Sequence, residues 1–329
     1  MVQLAGKEVG RIGFGLMGFT WRPNPTPEEQ AFEAMREALA QGCSFWNGGE
    51  FYGTQTCNSM TLLERYFAKY PEDADKVVLS MKGGFDIERF KPDSSPEMLH
   101  KSVGNILTQL KGRKKVDMFE CARRDPSRPM SETFGILNKE YVETGKIGGI
   151  SLSEVSAATI HEAVKHTKVA AVEVELSLWS TEPLENGVAA ACAEHGIPLV
   201  AYSPLGRGVL TGQIRSIDDI PEDDFRRHMP RFQPENFHIN LELVRQLEAL
   251  AAKKGCKPSQ LAIGWVLGIS RRPGMPDIIP IPGATTAERV KENSTIVELT
   301  DEEMAEIDAV LAKFKVVGGR YPEGAPVNT

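Results

Sequence analysis

The feature that most constrains the fold is an alternation of short apolar runs with helical stretches, repeated eight times along 329 residues. The apolar runs are rich in Val, Ile and Leu, which is typical of parallel strands buried on both faces. We predict strands at 11–15, 44–47, 77–82, 116–120, 147–153, 170–176, 198–202 and 278–282. Eight β–α units form either a closed barrel or a large doubly wound sheet. The chain length suits an α/β (β/α)8 barrel of the TIM type with extra loops and helices, which we prefer.

Two of the helical stretches begin at a capping box, Thr26-Pro27-Glu28-Glu29 and Thr300-Asp301-Glu302-Glu303. Further helices are predicted near 57–69, 95–110, 130–144, 156–166, 185–195, 241–254, 258–269 and 286–293. Residues 206–239 are longer than an ordinary connection and are expected to form a lid or a binding loop. Since no linker or composition break interrupts the chain, we expect residues 1–329 to form one barrel domain.

Composition excludes several classes of protein. The chain has 38 basic and 45 acidic residues, so it lacks the basic excess that nucleic-acid binding needs. Five scattered cysteines indicate reduced thiols rather than a disulfide framework. Residues 1–10 contain no apolar run, so no signal peptide is expected. The longest apolar run, Leu261–Ile269, is far shorter than a membrane span. We therefore expect a cytoplasmic protein without a nucleic-acid or membrane partner; the sequence indicates no oligomeric state.

A barrel carries its site at the carboxyl ends of its strands. The polar or aromatic residues at those positions are Asn47, Tyr52, Lys82, Cys121, Arg123, Ser153, Glu154, Glu173, Glu175 and Tyr202. Any one of them could be a solvated loop residue, but their recurrence where apolar runs stop indicates a site.

Lys82 and Tyr52 suggest a reaction. If Lys82 projects into the pocket, its charge stabilises a nearby phenolate and makes Tyr52 a better proton donor. Such a pair suits protonation of the alkoxide that forms when hydride reduces a carbonyl. The alternatives are a lysine that extends to solvent and a Tyr52 that only packs against Phe51.

Glu173 and Glu175 alternate with apolar residues on one predicted strand. Either their face reaches the open mouth of the barrel, or Glu173 accepts hydrogen bonds from a ligand amide. Tyr202, which ends the next strand, could offer a flat face to an aromatic ring or simply pack.

Other chemistries are weakly supported. Gly13–Gly18 matches Gly-x-Gly-x-x-Gly, but 19–27 contains three prolines and cannot be the helix of a dinucleotide-binding fold, so we interpret it as a tight turn. His161 and His166 are five residues apart, off a common helix face, and no metal is expected. Cys121 has no evident neighbouring base, so a cysteine nucleophile is not indicated.

Ordered motifs along residues 5–315 resemble the aldo-keto reductase superfamily. They are Gly-Phe-Gly-Leu-Met-Gly (13–18), Tyr-Gly (52–53), Lys82, Gly-Lys-Ile (145–147), Ser-Glu (153–154), Ala-Tyr-Ser-Pro-Leu-Gly-Arg-Gly (201–208), Ile-Pro-Ile-Pro-Gly (279–283), Arg289 and Glu-Asn (292–293). Trp-Asn (46–47), Glu-Phe-Tyr-Gly (50–53) and Cys-Ala-Arg (121–123) with Asp-Pro (125–126) are most similar to the yeast-type pyridoxal reductases.

The resemblance implies a barrel that binds NADP(H) without a dinucleotide-binding domain. Tyr52 would be the general acid, Lys82 its pKa-lowering neighbour, and Asn47 a hydrogen-bond partner of Lys82. The cofactor would contact Met17, Ser153, Glu154, Glu173, Tyr202, Ser203, Leu205, Arg207, Gly283, Thr285, Arg289, Glu292 and Asn293. Arg289, placed at the adenosine 2′-phosphate, favours NADPH because a guanidinium donates to phosphate in pairs.

Three positions depart from the family pattern. Asn47 replaces the usual aspartate, which should leave the charge of Lys82 less compensated, and Glu173 replaces the usual glutamine. Ala122 replaces the usual histidine and could make room for a substituted pyridine ring. The implied reaction is reduction of pyridoxal to pyridoxine, with Trp21, Phe51, Ala122 and Arg123 at the substrate.

Several alternatives remain open at this stage. The chain could be a general aldehyde or ketone reductase of another subgroup, or a nucleotide-sensing protein of the same fold that does not catalyse a reaction. Arg123 and its neighbour Arg124 lie near the predicted pocket, and we favour a solvated surface pair over a contact with the substrate. Trp21 could be purely structural.

Overall fold

The computed structural model describes residues 2–329 and confirms the (β/α)8 barrel. In chain order the strands are β1 (Val2–Leu4), β2 (Lys7–Val9), β3 (Phe14–Gly15), β4 (Phe45–Gly49), β5 (Val78–Gly83), β6 (Phe85–Asp86), β7 (Lys91–Pro92), β8 (Met118–Cys121), β9 (Ile150–Ser153), β10 (Val169–Glu175), β11 (Leu199–Tyr202) and β12 (Ile278–Pro280). β3, β4, β5 and β8 to β12 are neighbours in one parallel sheet, and each overlaps one of the eight predicted strands.

The sheet closes into a barrel where β3 meets β12. The Gly13 amide donates to the Pro280 carbonyl over 2.9 Å, and Gly15 forms a parallel bridge with Gly283. A Cβ atom at Gly13 would lie 2.8 Å from the Phe45 side chain, so the backbones can approach only with glycine there. These glycines of the Gly-x-Gly-x-x-Gly sequence therefore serve barrel closure.

A short antiparallel hairpin of β1 and β2 covers the amino-terminal end of the barrel. Its apolar side chains Val2, Leu4 and Val9 form one buried cluster with interior side chains of the barrel strands, namely Phe45, Val78, Met118, Ala171, Val200 and Ile279. The sequence did not predict this hairpin, because strands of three residues are too short to show an alternating pattern. The hairpin leaves the opposite end of the barrel as its open mouth.

The helices are α1 (Met17–Thr20), α2 (Glu28–Ala40), α3 (Ser59–Lys69), α4 (Pro96–Leu110), α5 (Met130–Leu137), α6 (Ala157–Ala163), α7 (Val188–Glu194), α8 (Pro234–Lys254), α9 (Pro258–Ile269), α10 (Ala287–Ser294) and α11 (Asp301–Leu311). A π-helical turn extends α5 over Asn138–Val142. α8 begins inside the predicted loop 206–239, so the loop is shorter than expected and contains four 3-10 turns before residue 234. Among residues 2–329, no helix combines the length and apolar character needed to cross a membrane.

The two predicted capping boxes have different outcomes. Thr300 and Glu303 cap α11 reciprocally, as predicted. The prediction at Thr26 is wrong, because α2 begins after Pro27 and has no side-chain cap. The Thr26 amide donates to the Phe19 carbonyl over 2.8 Å, which ties this residue to α1 rather than to α2.

Residues 312–329, which we call the C-terminal segment, return to the mouth of the barrel after α11. The Val317 amide donates to the Asn240 side chain over 2.8 Å. At the end of the chain, the Thr329 amide donates to the Glu154 carbonyl over 3.0 Å and its carbonyl accepts from the Ser156 amide over 2.8 Å. These bonds fix the segment beside the carboxyl ends of β9 and β10.

Candidate active site

Four buried polar side chains lie inside the barrel towards the carboxyl ends of its strands, and we call Asn47, Lys82, Glu120 and Glu173 the lysine cluster. The Lys82 ammonium donates to the Asn47 amide oxygen over 2.9 Å and to the Glu173 carboxylate over 2.5 Å. Glu120 lies 3.1 Å from the same nitrogen. The Asn47 amide nitrogen donates to both carboxylates, over 2.6 Å to Glu173 and 3.3 Å to Glu120. The predicted contact of Asn47 with Lys82 is present.

The lysine cluster sets two carboxylates against one ammonium. Burial lowers the pKa of Lys82, but Glu120 and Glu173 outweigh burial and leave it above its ordinary value. Burial raises the pKa of Glu173 to about 8, against the opposing effect of Lys82. The expectation that Asn47 leaves Lys82 poorly compensated is therefore wrong, because carboxylates from two other strands supply the counter-charge.

Tyr52 lies beside the lysine cluster, in the turn after β4. The Lys82 nitrogen is 6.0 Å from the centroid of the phenol ring. A Cβ atom at Gly49 would lie 3.0 Å from ring atoms of Tyr52, so glycine makes room for the ring. Burial raises the pKa of Tyr52 to about 12, and the lowering effect of Lys82 is opposed by Glu173 and Glu120. The expected net lowering of this pKa is absent, because burial, together with Glu173 and Glu120, outweighs the lowering effect of Lys82.

Aromatic side chains line the outer side of Tyr52, and we call Trp21, Phe51 and Phe85 the aromatic wall. The Trp21 ring stacks on the Tyr52 ring at a centroid distance of 5.3 Å and is 46% exposed. Phe51 meets Tyr52 edge-on at 5.2 Å and touches Phe85 at 5.7 Å. A flat apolar surface next to a buried phenol suits an aromatic ligand.

Ala122 and Arg123 follow β8 at the mouth. Ala122 is buried, and its amide donates to the Gly83 carbonyl over 2.9 Å. The Arg123 guanidinium lies 5.6 Å from the ring centroid of Tyr321 in the C-terminal segment. The Arg124 Nε atom is buried and lacks a hydrogen-bond partner within the described chain. Both arginines are half-buried, so the alternative of a solvated arginine pair stays open.

A second charged group lies beside the lysine cluster, and we call Glu154, Glu175, Arg207 and Arg320 the arginine cluster. Arg320 donates to Glu154 over 2.9 Å and to Glu175 over 3.1 Å, while Arg207 donates to Glu175 over 3.0 Å. The Tyr202 hydroxyl donates to Glu154 over 2.9 Å. Burial raises the pKa of Glu154, but Arg320 outweighs burial and leaves it below its ordinary value.

Tyr321 places the C-terminal segment directly over this group. Its hydroxyl is 2.9 Å from the Tyr202 hydroxyl, and the Arg207 guanidinium lies 4.6 Å from its ring centroid. Sequence reasoning missed Tyr321 and Arg320, which lie beyond the motifs that carry the resemblance. It also missed Glu120, although this residue ends a predicted strand and the same strand-end criterion could have found it.

Ser153 offers an unfilled position at the end of β9. Its hydroxyl is buried and has no hydrogen-bond partner among residues 2–329. Because an unpaired buried hydroxyl costs free energy, a polar group of a ligand would complete it. Protein donors already occupy the carboxylate oxygens of its neighbours Glu154 and Glu173. A nicotinamide carboxamide therefore fits the free hydroxyl of Ser153.

The residues that the family resemblance assigns to the adenosine end of the cofactor lie around α10 and the seam where β3 meets β12. Arg289 donates to Gln213 of the long loop over 2.7 Å, so this loop reaches from the arginine cluster to α10. Glu292 accepts from the Ser259 hydroxyl over 2.5 Å. The other matched residues of this end, on or beside α1, β12 and α10, are Met17, Gly283, Thr285 and Asn293. Ser203 and Leu205 lie between the two ends, directly after β11.

Three potential metal ligands lie on and directly after the outer helices α6 and α7. The His161 Nδ1 atom is 2.9 Å from the His195 Nε2 atom, and Glu194 is close to both. Sequence spacing could not show this pairing, because the histidines come from different helices. The group shares no residue with either charged cluster, and the absence of a catalytic metal stays a prediction.

Comparison with known proteins decides the family, since residues 11–312 match the model described as the aldo/keto reductase family. The chain belongs to the aldo/keto reductase family. It is therefore an oxidoreductase, of a family that uses NADH or NADPH on small-molecule substrates. The resemblance drawn from the sequence motifs is confirmed.

Relatives of this aldo/keto reductase share nearly its whole length. "Probable pyridoxal reductase 2" of Schizosaccharomyces pombe is 43% identical over 96% of each chain. "Putative pyridoxal reductase" of Saccharomyces cerevisiae is 41% identical over 94% of this chain and 95% of its own. The solved structure of glycerol dehydrogenase AKR11B4 from Gluconobacter oxydans covers 97% of both chains with a TM-score of 0.82 and 24% identity, which shows the shared fold.

Proposed function

We propose that this enzyme reduces pyridoxal to pyridoxine with NADPH, with Tyr52 as the general acid. The observation that carries the proposal is the position of the Tyr52 phenol, whose ring neighbours both the buried Lys82 ammonium and the exposed Trp21 ring. The five cysteines, none of them disulfide-bonded within the described chain, support a reducing compartment, which we propose is the cytoplasm.

Reduction of an aldehyde needs a hydride at carbon and a proton at oxygen. NADPH, when bound, supplies the hydride. Tyr52 donates its phenolic proton to the carbonyl oxygen, and a pKa of about 12 keeps that proton in place at neutral pH. The Lys82 charge favours the phenolate that remains, and burial strengthens this attraction because the surroundings are of low dielectric.

For the cofactor, we propose that Ser153 and Tyr202 hold the nicotinamide, with Glu154 and Glu173 behind them. Ser203, Leu205 and Arg207 would follow the pyrophosphate. The adenosine end would meet Met17, Gly283, Thr285, Arg289, Glu292 and Asn293. The preference for NADPH rests on Arg289, whose guanidinium bonds only Gln213 among residues 2–329 and can turn its other donors to a phosphate.

For the substrate, we propose that the pyridine ring lies against the aromatic wall, with its aldehyde at Tyr52. Ala122 leaves space for ring substituents where the family usually has a histidine. The phenolic hydroxyl beside the aldehyde of pyridoxal supplies part of the polarisation that the histidine would give. Arg123 lies at the same edge of the mouth, and the names of the two yeast relatives support this substrate.

The test is steady-state consumption of NADPH or NADH with pyridoxal, pyridoxal phosphate, benzaldehyde and a short aliphatic aldehyde. We expect pyridoxal to give the highest kcat/KM. NADPH should be preferred over NADH by at least about tenfold, the contribution expected of one charge-assisted hydrogen bond to phosphate. Arg289→Gln should reduce the preference for NADPH and leave turnover with NADH unchanged.

A higher kcat/KM for another aldehyde would replace pyridoxal with a general carbonyl substrate. If NADPH binds but no aldehyde is reduced, the protein is a nucleotide sensor of this fold.

A further inference from the structure

We propose that Glu120 and Glu173 hold one proton between them, and that this shared proton sets the net charge facing Tyr52. Glu120 and Glu173 are then positioning residues, which act on the reaction through Lys82 and Tyr52. The kinetic consequence rests on the proposed function, whereas the proton itself is a property of the protein alone.

The geometry brings the two carboxyl groups together from β8 and β10. Both lie within 3.1 Å of the Lys82 nitrogen, and both accept from the Asn47 amide. The two carboxyl groups therefore converge on one ammonium and one amide. Two ionised carboxylates have only acceptors, so they repel each other at this site unless one proton is held between them.

The charge count leads to the same conclusion. With both carboxyl groups ionised, the buried cluster would carry one unpaired negative charge, which is costly inside a protein. One shared proton makes Lys82 and the carboxyl pair neutral together. The Ser151 hydroxyl, which donates to Glu120 over 3.2 Å, adds a hydrogen bond but no charge.

Within the described part of the chain, no cation other than Lys82 contacts the pair. The titratable groups near it are Lys82 on β5, Tyr52 after β4 and Cys121 on β8. Burial raises the pKa of Cys121 to about 12 and that of Tyr52 to about 12, so both are neutral at physiological pH. The shared proton is thus the group of this set that titrates nearest neutrality.

Loss of the shared proton would weaken the acid. Glu173 and Glu120 both raise the pKa of Tyr52, so a second ionised carboxyl makes the phenol a poorer proton donor. The arrangement also gives position 47 a reason to be asparagine. The Asn47 amide donates to both carboxyl groups, whereas an aspartate would add a third negative charge around one ammonium.

The proton itself can be observed without cofactor or substrate, by infrared spectroscopy of the purified protein. We expect a buried carboxylic-acid C=O band that fades as the pH rises through about 8. Glu120→Gln and Glu173→Gln should each remove the band, because the one remaining carboxylate pairs with Lys82. Asp117→Asn is the matched control, since Asp117 is buried beside Glu120 on the chain but pairs with Lys114 and Lys7; it should keep the band.

The kinetic test moves the charge within the cluster. Asn47→Asp should lower kcat by about tenfold, equivalent to about one pKa unit on Tyr52. The double variant Asn47→Asp with Glu120→Gln restores the original number of carboxyl groups and should recover kcat to within about threefold, well inside one pKa unit. In the unmodified enzyme kcat should fall at alkaline pH as the shared proton is lost, and Glu120→Gln alone should lose this fall.

A band that survives in both glutamine variants would overturn the shared proton. Failure of the double variant to recover, with Asn47→Asp impaired, would overturn the role in setting the charge at Tyr52. If pyridoxal proves not to be a substrate, the infrared result still decides the proton, so the two proposals fail independently.

Discussion

The lysine cluster and the arginine cluster lie side by side in one barrel mouth, yet they are built differently. Each contains two buried carboxylates. In the lysine cluster the cation is Lys82 on β5, held in the hydrogen-bonded ladder of the barrel. In the arginine cluster the cations are Arg207 on the long loop and Arg320 on the C-terminal segment.

Because of this difference, we expect the lysine cluster to titrate and the arginine cluster to be displaceable. Two carboxylates facing one ammonium are unbalanced, so the lysine cluster should respond to pH near neutrality. Two carboxylates facing two guanidinium groups are balanced and should not. The arginine cluster can instead be taken apart by displacing a segment, because its cations stand outside the barrel ladder.

The largest effect should follow removal of the strand-borne cation. Lys82→Met leaves two buried carboxyl groups without a cation, so we expect the free energy of unfolding to fall by about 3–5 kcal/mol. Urea denaturation followed by circular dichroism measures this change. A loss below about 1 kcal/mol is typical of an ion pair on the surface. It would mean that the lysine cluster contributes no more to the free energy of unfolding than the arginine cluster does.

Next in size is removal of the phenolic hydroxyl at the lysine cluster. Tyr52→Phe should lower the rate of aldehyde reduction by at least about 10²-fold, the low end of general acid catalysis. The matched control is Tyr202→Phe, which removes a phenolic hydroxyl from the edge of the arginine cluster. If the two variants lose the same rate, chemistry is not confined to the lysine cluster.

Removal of the cation on the C-terminal segment should have a local effect. Arg320→Ala should cost about 1–3 kcal/mol of local stability, the range for a hydrogen-bonded group left unpaired. Hydrogen exchange should accelerate at the Val317 and Thr329 amides, which hold the C-terminal segment, and remain unchanged in the barrel strands. Acceleration throughout the barrel would contradict the distinction between the clusters.

The two clusters should also differ in how stability depends on pH. The pKa of Glu173 is raised to about 8 in the folded chain, so between pH 5 and pH 8 the folded form holds a proton that the unfolded form has lost. Stability should therefore fall as pH rises through this window, by up to about 1.4 kcal/mol per pH unit. The lowered pKa of Glu154 contributes stability that is constant there and is lost only at acidic pH.

Denaturation across this pH range should give a flat profile for Glu173→Gln. A profile that rises between pH 5 and pH 8 in the unmodified protein would contradict the assignment of the proton to the lysine cluster.

The smallest effect should come from added bulk beside the lysine cluster. Ala122→His places an imidazole at the buried position after β8. Turnover of pyridoxal should fall several-fold, because steric crowding of the substrate costs about 1 kcal/mol. A small aliphatic aldehyde is the control substrate and should be less affected. Equal kinetics with pyridoxal before and after the change would remove the argument from space.

The fold could be predicted because its signals are local. Each buried strand of the barrel leaves an apolar run in the sequence, and the Thr300 box caps its helix within four residues. The Thr26 sequence does not cap a helix, although its residues match the capping-box motif as well as those at Thr300 do. A hydrogen bond to Phe19, outside the motif, holds Thr26 away from the start of α2. The hairpins with strands of two or three residues were not predicted, because strands this short show no periodic pattern.

The sequence by itself determined the barrel, its open end and the proximity of Lys82 to Tyr52, because strand-end positions in a parallel barrel converge on one mouth. Only the tertiary structure decided the charge around them. Glu120 and Glu173 are 53 residues apart in the chain, and their meeting at Lys82 depends on strand register. Arg320 and Tyr321 reach the mouth through the path of the C-terminal segment. Electrostatic balance depends on distances in space, and no local pattern in the sequence encodes those distances.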